Sequence, residues 1–188
     1  MVIRSQARVD QKQTIFLVLI NWEMVAGLMD EFVSTFTNRL DAKGRVSIPA
    51  SFRLVLARDG SDGLYCCPTL DRMAMDAGGK LLRDTIRHSL GQFEPFSEEH
   101  EQLSTTLLGE SEILKIDQDG RTVLSDAIRE HAGVTDQVTF VGHGFKFQIW
   151  EPERFEVHRE EAKQSLRALR SRLSGGGSAP KIRGGDER

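Results

Sequence analysis

The sequence lacks the residue patterns that mark common metal sites and enzyme active sites. Gly142-His-Gly144 has neither the glycine spacing of a dinucleotide fingerprint nor the Lys and Ser or Thr of a Walker loop. Gly109-Glu-Ser-Glu112 lacks the second glycine of a nucleophile elbow. The histidines have no zinc-ligand spacing with cysteine or with each other; they are His88, His100, His131, His143 and His158. We therefore predict no enzymatic activity, metal, cofactor or small-molecule substrate.

The sequence also lacks a basic excess and has few cysteines. Its formal net charge is −3 with a pI near 6.0, so any binding to nucleic acid must depend on local charge. The only two cysteines, Cys66 and Cys67, are adjacent in an apolar stretch. In a strand they would point to opposite faces, which excludes an ordinary disulfide between them. This cysteine usage predicts a reducing, cytoplasmic location.

Long hydrophobic runs are absent, and the longest near the start spans only Ile15 to Ile20. Arg4 and Arg8 precede it as in a signal peptide, but no small-x-small cleavage site stands out. The run is also too short to cross a bilayer. We interpret residues 1–28 as an N-terminal extension, either a disordered appended segment or the product of a start codon placed too early.

The dominant feature of the sequence is an internal repeat. Asp41-Ala-Lys-Gly-Arg45 and the eight residues after it recur as Asp117-Gln-Asp-Gly-Arg121 and its eight followers. Asp, Gly and both arginines are each 76 positions from their counterparts. Such a match indicates a duplicated supersecondary element.

Each copy of the repeat predicts a strand, a glycine turn, a second strand and a short helix. Gly44 and Gly120 suit a turn that requires a positive φ, and β-forming residues flank both. Helix-start signals follow at Pro49 and at Ser125-Asp126. One copy alone has too few strands to bury its apolar face. We therefore predict an α+β fold in which two copies pair into one β-barrel-like core.

Three stretches together resemble the MraZ family. They are Asn38 to Arg53, Leu114 to Arg121 and Gly142 to Phe155, and the similarity runs from about Met29 to about Leu173. The resemblance implies two swapped-hairpin units of the AbrB type within one chain, with subunits assembled into rings. It further implies a transcriptional regulator, acting as a repressor, that binds repeated promoter boxes of the division and cell-wall gene cluster, including its own promoter.

The remaining segments give the expected domain limits. Unit one is assigned to residues 35–82 and unit two to residues 111–154, with a helical linker at 83–110. Leu64 to Cys67 is predicted as a strand, and the stretch from Leu70 to Met75 as helical. Two linker helices are predicted, Lys80 to Leu90 and Ser97 to Leu108, and their apolar faces suit either the core or a subunit contact. Glu151-Pro152 marks a helix start; the C-terminal helix is assigned to 155–173, and the tail at 174–188 is expected to be disordered.

Charge differs between the two units and selects the first as the better DNA-facing candidate. Residues 33–58 carry five basic side chains and one acidic one, whereas residues 111–130 carry three basic and five acidic ones. With the resemblance, the predicted DNA contacts are Lys43, Arg45, Arg53, Arg39 and Arg121. The predicted turn-bracing residues are Asp41, Gly44, Asp117 and Gly120.

Two interpretations of the first turn remain open. Arg45 could read guanine through its planar fork while Lys43 contacts phosphate, or Lys43 could simply be solvated while Asp41 and Arg45 brace the turn. At the level of function, an oligomeric protein-binding scaffold is the alternative to a DNA-binding regulator. A DNA binder needs Lys43 and Arg45 exposed together, whereas a scaffold would have them paired or buried.

Overall fold

The computed structural model describes residues 31–175, with side chains up to Ser171. The predicted N-terminal extension, residues 1–28, and residues 176–188 of the predicted tail lie outside the described residues. The body ends at Glu151, and the helix from Pro152 onward forms a separate compact unit.

The described elements belong to the α+β class, as predicted. The strands are β1 Thr35–Arg39, β2 Arg45–Ser47, β3 Leu64–Pro68, β4 Met75–Gly78, β5 Glu112–Leu114, β6 Arg121–Val123, β7 Gln137–Gly142 and β8 Phe147–Trp150. The helices are α1 Ala50–Arg58, α2 Lys80–Leu90, α3 Glu98–Ser104, α4 Asp126–Ala132 and α5 Pro152–Gly175. A π-helical turn at Thr105–Gly109 follows α3.

The strands form a six-stranded sheet in the order β1-β7-β8-β4-β3-β5 and a two-stranded ribbon, β2-β6. Each strand has a counterpart in the other unit: β1 and β5, β3 and β7, and β4 and β8. When every strand is replaced by its counterpart, the order of the sheet reads the same from the opposite end. Strands of one unit pair mainly with strands of the other, in antiparallel registers. The two units are therefore interleaved along a pseudo-twofold axis. Closure of these strands into a barrel stays a prediction.

The repeated structure in each unit extends beyond the predicted hairpin and short helix. In both units the short helix, α1 or α4, is followed by a strand hairpin, β3-β4 or β7-β8. Gly144 lies in the turn of the second of these hairpins and has a φ of 76°. The helix starts at Pro49 and at Ser125 are confirmed: α1 begins at Ala50, and the Ser125 side chain accepts a hydrogen bond from the Ile128 amide at 3.3 Å.

The prediction of a helical stretch between Leu70 and Met75 is wrong. Residues 71–74 form bends, and Met75 begins β4, which pairs with both β3 and β8. Met75 and Ala77 are buried in the main core on one face of this strand. On its other face, a methyl group on Gly78 would lie 3.0 Å from the Leu82 side chain. Sheet pairing and close packing by α2 override the helical spacing of the local sequence.

The linker contains two helices, and they differ in burial. Leu82, Ile86 and Leu90 of α2 are buried against Tyr65 and Cys67, so this apolar face is core. The second predicted linker helix, Ser97 to Leu108, is shorter as an α-helix and ends in the π-helical turn. No side chain of α3 is buried.

The main core lies between the six-stranded sheet on one side and the ribbon with α1 and α4 on the other. Its centre is aromatic. Phe52 of α1 packs 4.9 Å from Phe147 and 5.3 Å from Phe32, measured between ring centroids. Phe32 precedes β1 and bridges to Gly144. Ile128 of α4 lies in the same core, so both short helices pack behind the ribbon and support the turns before β2 and β6.

The two cysteines lie in separate clusters, Cys66 in the main core and Cys67 beneath α2. Both are free thiols. Burial raises the pKa of the Cys66 thiol, and it raises the pKa of Cys67 to about 12. Neither is a reactive thiolate at neutral pH.

The C-terminal helix begins at Pro152 and continues to Gly175, which is longer at both ends than the assigned 155–173. Proline lacks an N–H but needs none in the first turn of a helix. Acidic residues dominate its first half and basic residues its second half, which complements the helix dipole.

Candidate nucleic-acid interface

The first glycine turn is closed by Asp41. Its Oδ1 accepts hydrogen bonds from the Lys43 amide at 2.8 Å and the Arg45 amide at 2.9 Å, and its Oδ2 accepts one from Arg45 Nε at 2.7 Å. Gly44 has a φ of 74°, which a residue with a Cβ adopts only with strain. Hydrogen bonds from the backbone and then the side chain of Arg45 lower the pKa of Asp41 to about 2.

The second turn has the same geometry. Asp117 Oδ1 accepts from the Asp119 amide at 2.9 Å and the Arg121 amide at 2.8 Å, and Oδ2 accepts from Arg121 Nε at 3.1 Å. Gly120 has the same φ of 74°. The backbone hydrogen bond from Arg121, followed by its side-chain bond, lowers the pKa of Asp117. The repeated Asp-x-x-Gly-Arg sequence thus specifies the same local structure twice.

The turns differ at their third position, where Lys43 corresponds to Asp119. Arg121 Nη2 bonds to the Asp119 carboxylate, and the pKa of Arg121 is raised, first by its hydrogen bond to Asp117 and then by the charges of Asp117 and Asp119. The guanidinium of Arg45 meets a carboxylate only at Nε among the described residues. Its two terminal nitrogens keep the fork geometry that recognises guanine or phosphate.

The ribbon places both arginines on one outward face. Val46 and Thr122 are buried, so their neighbours in each strand point away from the core. We call this surface the ribbon face; it consists of Arg45, Ser47, Arg121 and Val123. Arg45 is paired with Val123, and Arg121 with Ser47, so the two arginines are diagonal neighbours about 7 Å apart along the ribbon.

Each turn is held by the opposite unit. The Ile48 amide donates to the Gly120 carbonyl at 3.0 Å, and the Leu124 amide donates to the Gly44 carbonyl at 2.9 Å. Arg53 Nη1 donates to the carbonyl oxygen of Asp119 at 2.9 Å. Its counterpart in α4, Arg129, lies against the first turn, where a methyl group on Gly44 would be 3.8 Å from Arg129 Nε.

The predicted DNA contacts are thus only partly brought together. Lys43 is exposed at the tip of the first turn, next to Arg45. Arg121 shares the ribbon face, but Arg53 is engaged with the second turn. Arg39 is exposed at the end of the edge strand β1. It lies on the opposite side of that strand from Asn38, whose side chain donates to the Ser47 carbonyl of the ribbon at 2.7 Å.

Arg129 and Asn38 were not among the predicted site residues. Arg129 could have been found from the repeat alone, since it is the counterpart of Arg53. Asn38 gave no comparable signal, because its bond to Ser47 depends on how β1 lies beside the ribbon.

Within residues 31–175, no group of three or more His, Cys, Asp or Glu side chains is arranged to hold a metal ion. None of the helices described is both long enough and apolar enough to cross a bilayer.

The chain is similar to proteins of one family. Residues 107–175 match the family model described as MraZ protein. Over 152 residues the chain is 59% identical to the transcriptional regulator MraZ of Beijerinckia indica subsp. indica, covering 81% of this chain and 93% of the relative. The protein of the same name from Methylocella silvestris is 56% identical with the same coverage.

A more distant relative, transcriptional regulator MraZ of Rhizobium meliloti, is 39% identical over 145 residues, or 76% of this chain and 99% of the relative. These relatives are named as regulators, which confirms the prediction of a protein that is not an enzyme. The chain therefore belongs to the MraZ family of transcriptional regulators.

Proposed function

We propose that this regulator is a sequence-specific DNA-binding protein and that it contacts DNA through the ribbon face and the first turn. The observation that carries the proposal is the position of Arg45 and Arg121 on one exposed face, with Lys43 at the adjoining turn. A protein with a net charge of −3 needs such local basic clustering to bind a polyanion.

Two side chains of the first turn have different roles in DNA binding. Arg45 keeps Nη1 and Nη2 available while Asp41 fixes the guanidinium at Nε, and a fixed planar fork suits the O6 and N7 acceptors of guanine. Lys43 has a mobile point charge at the exposed tip, which suits phosphate. Arg121 reaches DNA less readily, because Asp119 already occupies one of its terminal nitrogens.

Target and assembly follow the family pattern. The DNA sites are repeated promoter boxes upstream of the division and cell-wall gene cluster, including the protein's own promoter, and the effect is repression. One basic turn per chain makes few phosphate contacts, so a ring-like homo-oligomer supplies affinity by linking several weak sites. The protein acts in the cytoplasm at the nucleoid, without a cofactor, a small-molecule substrate or a membrane.

The exposure of Lys43 favours this function over the scaffold alternative, in which Lys43 and Arg45 would both be paired or buried. Arg45 is paired at Nε, but its side chain remains 37% exposed.

The test measures DNA affinity by fluorescence anisotropy over a salt series. One duplex carries the region upstream of the cell's own division and cell-wall genes, and a second has the same composition in random order. We expect tighter binding to the first, and we expect Lys43→Ala to weaken both and to reduce the salt slope by about one contact per bound subunit. Equal affinity for the two duplexes would overturn sequence specificity. Light scattering that found only monomer, with specific binding intact, would overturn the oligomeric part.

A further inference from the structure

An open cavity of about 500 Å³ lies beside α4, at the edge of the six-stranded sheet. Three of its lining residues, Pro68, Met75 and Ile128, form an apolar floor. Three others, Glu110, Glu112 and Glu130, carry carboxylates. For comparison, an engineered apolar cavity of about 150 Å³ is enough to bind benzene.

Because the two units are related by a pseudo-twofold axis, the cavity has an equivalent position in the other half of the body. In the strand registers, Pro68 and Met75 are the counterparts of Gly142 and Phe147. Ile128 is the counterpart of Phe52, by the offset of the repeat. The matching place in the other half of the body is therefore the site between Gly142, Phe147 and Phe52.

That matching site is filled by Phe32. Its ring centroid lies 5.3 Å from that of Phe52 and 5.0 Å from that of Phe147. Its backbone passes so close to Gly142 that a methyl group there would lie 2.4 Å from the Phe32 carbonyl oxygen. Phe32 is 3% exposed. The fold thus contains two related cradles, and one of them holds a phenyl ring.

In the second cradle, the residue equivalent to Phe32 does not fill the space. That residue is Leu108, which belongs to the π-helical turn and is 43% exposed. In the first cradle, the Gly142 amide donates a hydrogen bond to the Ser34 carbonyl at 2.9 Å. The equivalent residue in the second cradle is Pro68, which has no N–H and cannot hold the chain near Leu108 in the same way. Met75 and Ile128 replace two phenylalanines, which leaves further room.

The rim gives the cavity a charge preference. Glu130 is the counterpart of Leu54, and Glu112 is the counterpart of Phe36, so the carboxylates are specific to this half of the body. Glu112 accepts a hydrogen bond from the Ser125 hydroxyl at 2.5 Å, whereas Glu110 and Glu130 are exposed. An apolar floor with carboxylates around it selects an apolar group flanked by positive charge.

We propose that this cavity binds an extended segment of a partner protein, in which one aromatic side chain is flanked by lysine or arginine. The aromatic ring takes the place that Phe32 has in the related cradle, and the basic side chains meet Glu110 and Glu130. An extended segment is favoured over a helix, because Phe32 enters its cradle through a β-bridge to Gly144. The site is separate from the ribbon face, and through it a partner protein acts on the regulator.

The test uses the full-length protein and three labelled nine-residue peptides. The first has one Phe between two pairs of Lys, the second has Ala for the Phe, and the third has Glu for each Lys. Fluorescence anisotropy should detect the first peptide, with at least roughly tenfold weaker binding of the other two. No binding of the first peptide up to about 1 mM would overturn the proposal.

Two protein variants test the location. Glu110→Lys combined with Glu130→Lys should weaken the first peptide at least roughly tenfold, whereas Glu94→Lys, an exposed change outside the cavity, should not. Ala127→Trp, which places a ring at the cavity wall, should block the peptide while circular dichroism and DNA binding stay unchanged. Peptide affinity that survives both the double charge reversal and Ala127→Trp would overturn the assignment. A change of assembly state in the charge-reversed variant, without any peptide binding, would instead assign the cavity to a second copy of the chain.

Discussion

Arg53 in the first unit donates a hydrogen bond of 2.9 Å to the carbonyl oxygen of Asp119 in the turn of the second unit. A methyl group on Gly120 would lie 1.5 Å from Arg53 Nη1, so the side chain also covers the glycine of that turn. The helix of one repeat therefore shapes the turn of the other.

This contact gives Arg53 a role in positioning the second turn, while the DNA contact predicted for Arg53 from the sequence stays a prediction that Arg53→Ala can decide. Arg53→Ala should lower the free energy of unfolding by about 1 kcal/mol, the usual contribution of one hydrogen bond. The affinity of Arg53→Ala for DNA should depend on salt concentration with the same slope as that of the unmodified protein. Urea denaturation and anisotropy titrations measure the two effects. A slope reduced by about one contact, and restored in Arg53→Lys, would show that Arg53 touches phosphate after all.

Arg45→Ala should reduce affinity for the promoter boxes by roughly 1–3 kcal/mol and relax base preference, because the guanine-reading fork is lost. Arg45→Lys is the matched control, since it keeps the positive charge without the fork. Titrations with box variants, each carrying one base change, measure the preference. Equal losses on specific and random DNA would reduce Arg45 to a phosphate anchor.

Asp119→Lys should make the second turn resemble the first. The change removes the carboxylate that holds Arg121 Nη2 and places a lysine where Lys43 lies in the first turn. Affinity for DNA should rise, and the salt slope should increase by about one contact per chain. Glu94→Lys adds a lysine in place of an acid at a distant exposed site. If both variants bind DNA alike, the second turn lies away from the DNA.

Acid should weaken the first turn in a defined range. The folded-state pKa of Asp41, about 2, is below the ordinary value of 3.8. The stabilisation by its carboxylate is therefore complete above about pH 4 and is lost as the pH falls through about 2. Urea midpoints should fall less over this range in Asp41→Asn than in the unmodified protein. Asp62→Asn, an exposed control, should keep the original profile; identical profiles for all three would contradict the assignment.

Neither repeat should fold alone. In residues 29–92, β1, β3 and β4 lack their partners β7, β5 and β8. This fragment should give no dispersed amide spectrum by NMR, because its apolar sheet face has nothing to pack against. Mixing it with a fragment of residues 93–175 should restore dispersion. A folded 29–92 fragment would contradict the interleaved arrangement.

The turns could be predicted from sequence because their structure is local. Asp41 bonds to groups two and four residues away, and a glycine with positive φ completes the motif. The duplication then indicated that the two units complete one another. These inferences needed only short-range chemistry and one repeated spacing.

The parts that were missed depend on distant contacts. The stretch from Leu70 to Met75 was predicted as helical, but the pairing of β4 with β3 and β8 decides the conformation from Met75 onward. Arg53 and Asp119 are 66 positions apart, and the sequence does not state which turn an arginine will reach. The cavity beside α4 arises from a difference between two related cradles, which becomes visible only when both are placed in register.

If the protein binds DNA as proposed, the interleaving of two repeats within one chain affects which arrangement of sites it recognises. Two identical subunits present identical turns, and such symmetry matches palindromic sites. Here one polypeptide carries both turns, so Lys43 and Asp119 could diverge at matching positions without disturbing the shared scaffold. The two ends of the ribbon therefore differ, and under the proposed function we expect the DNA sites to be direct repeats, each read in the same direction.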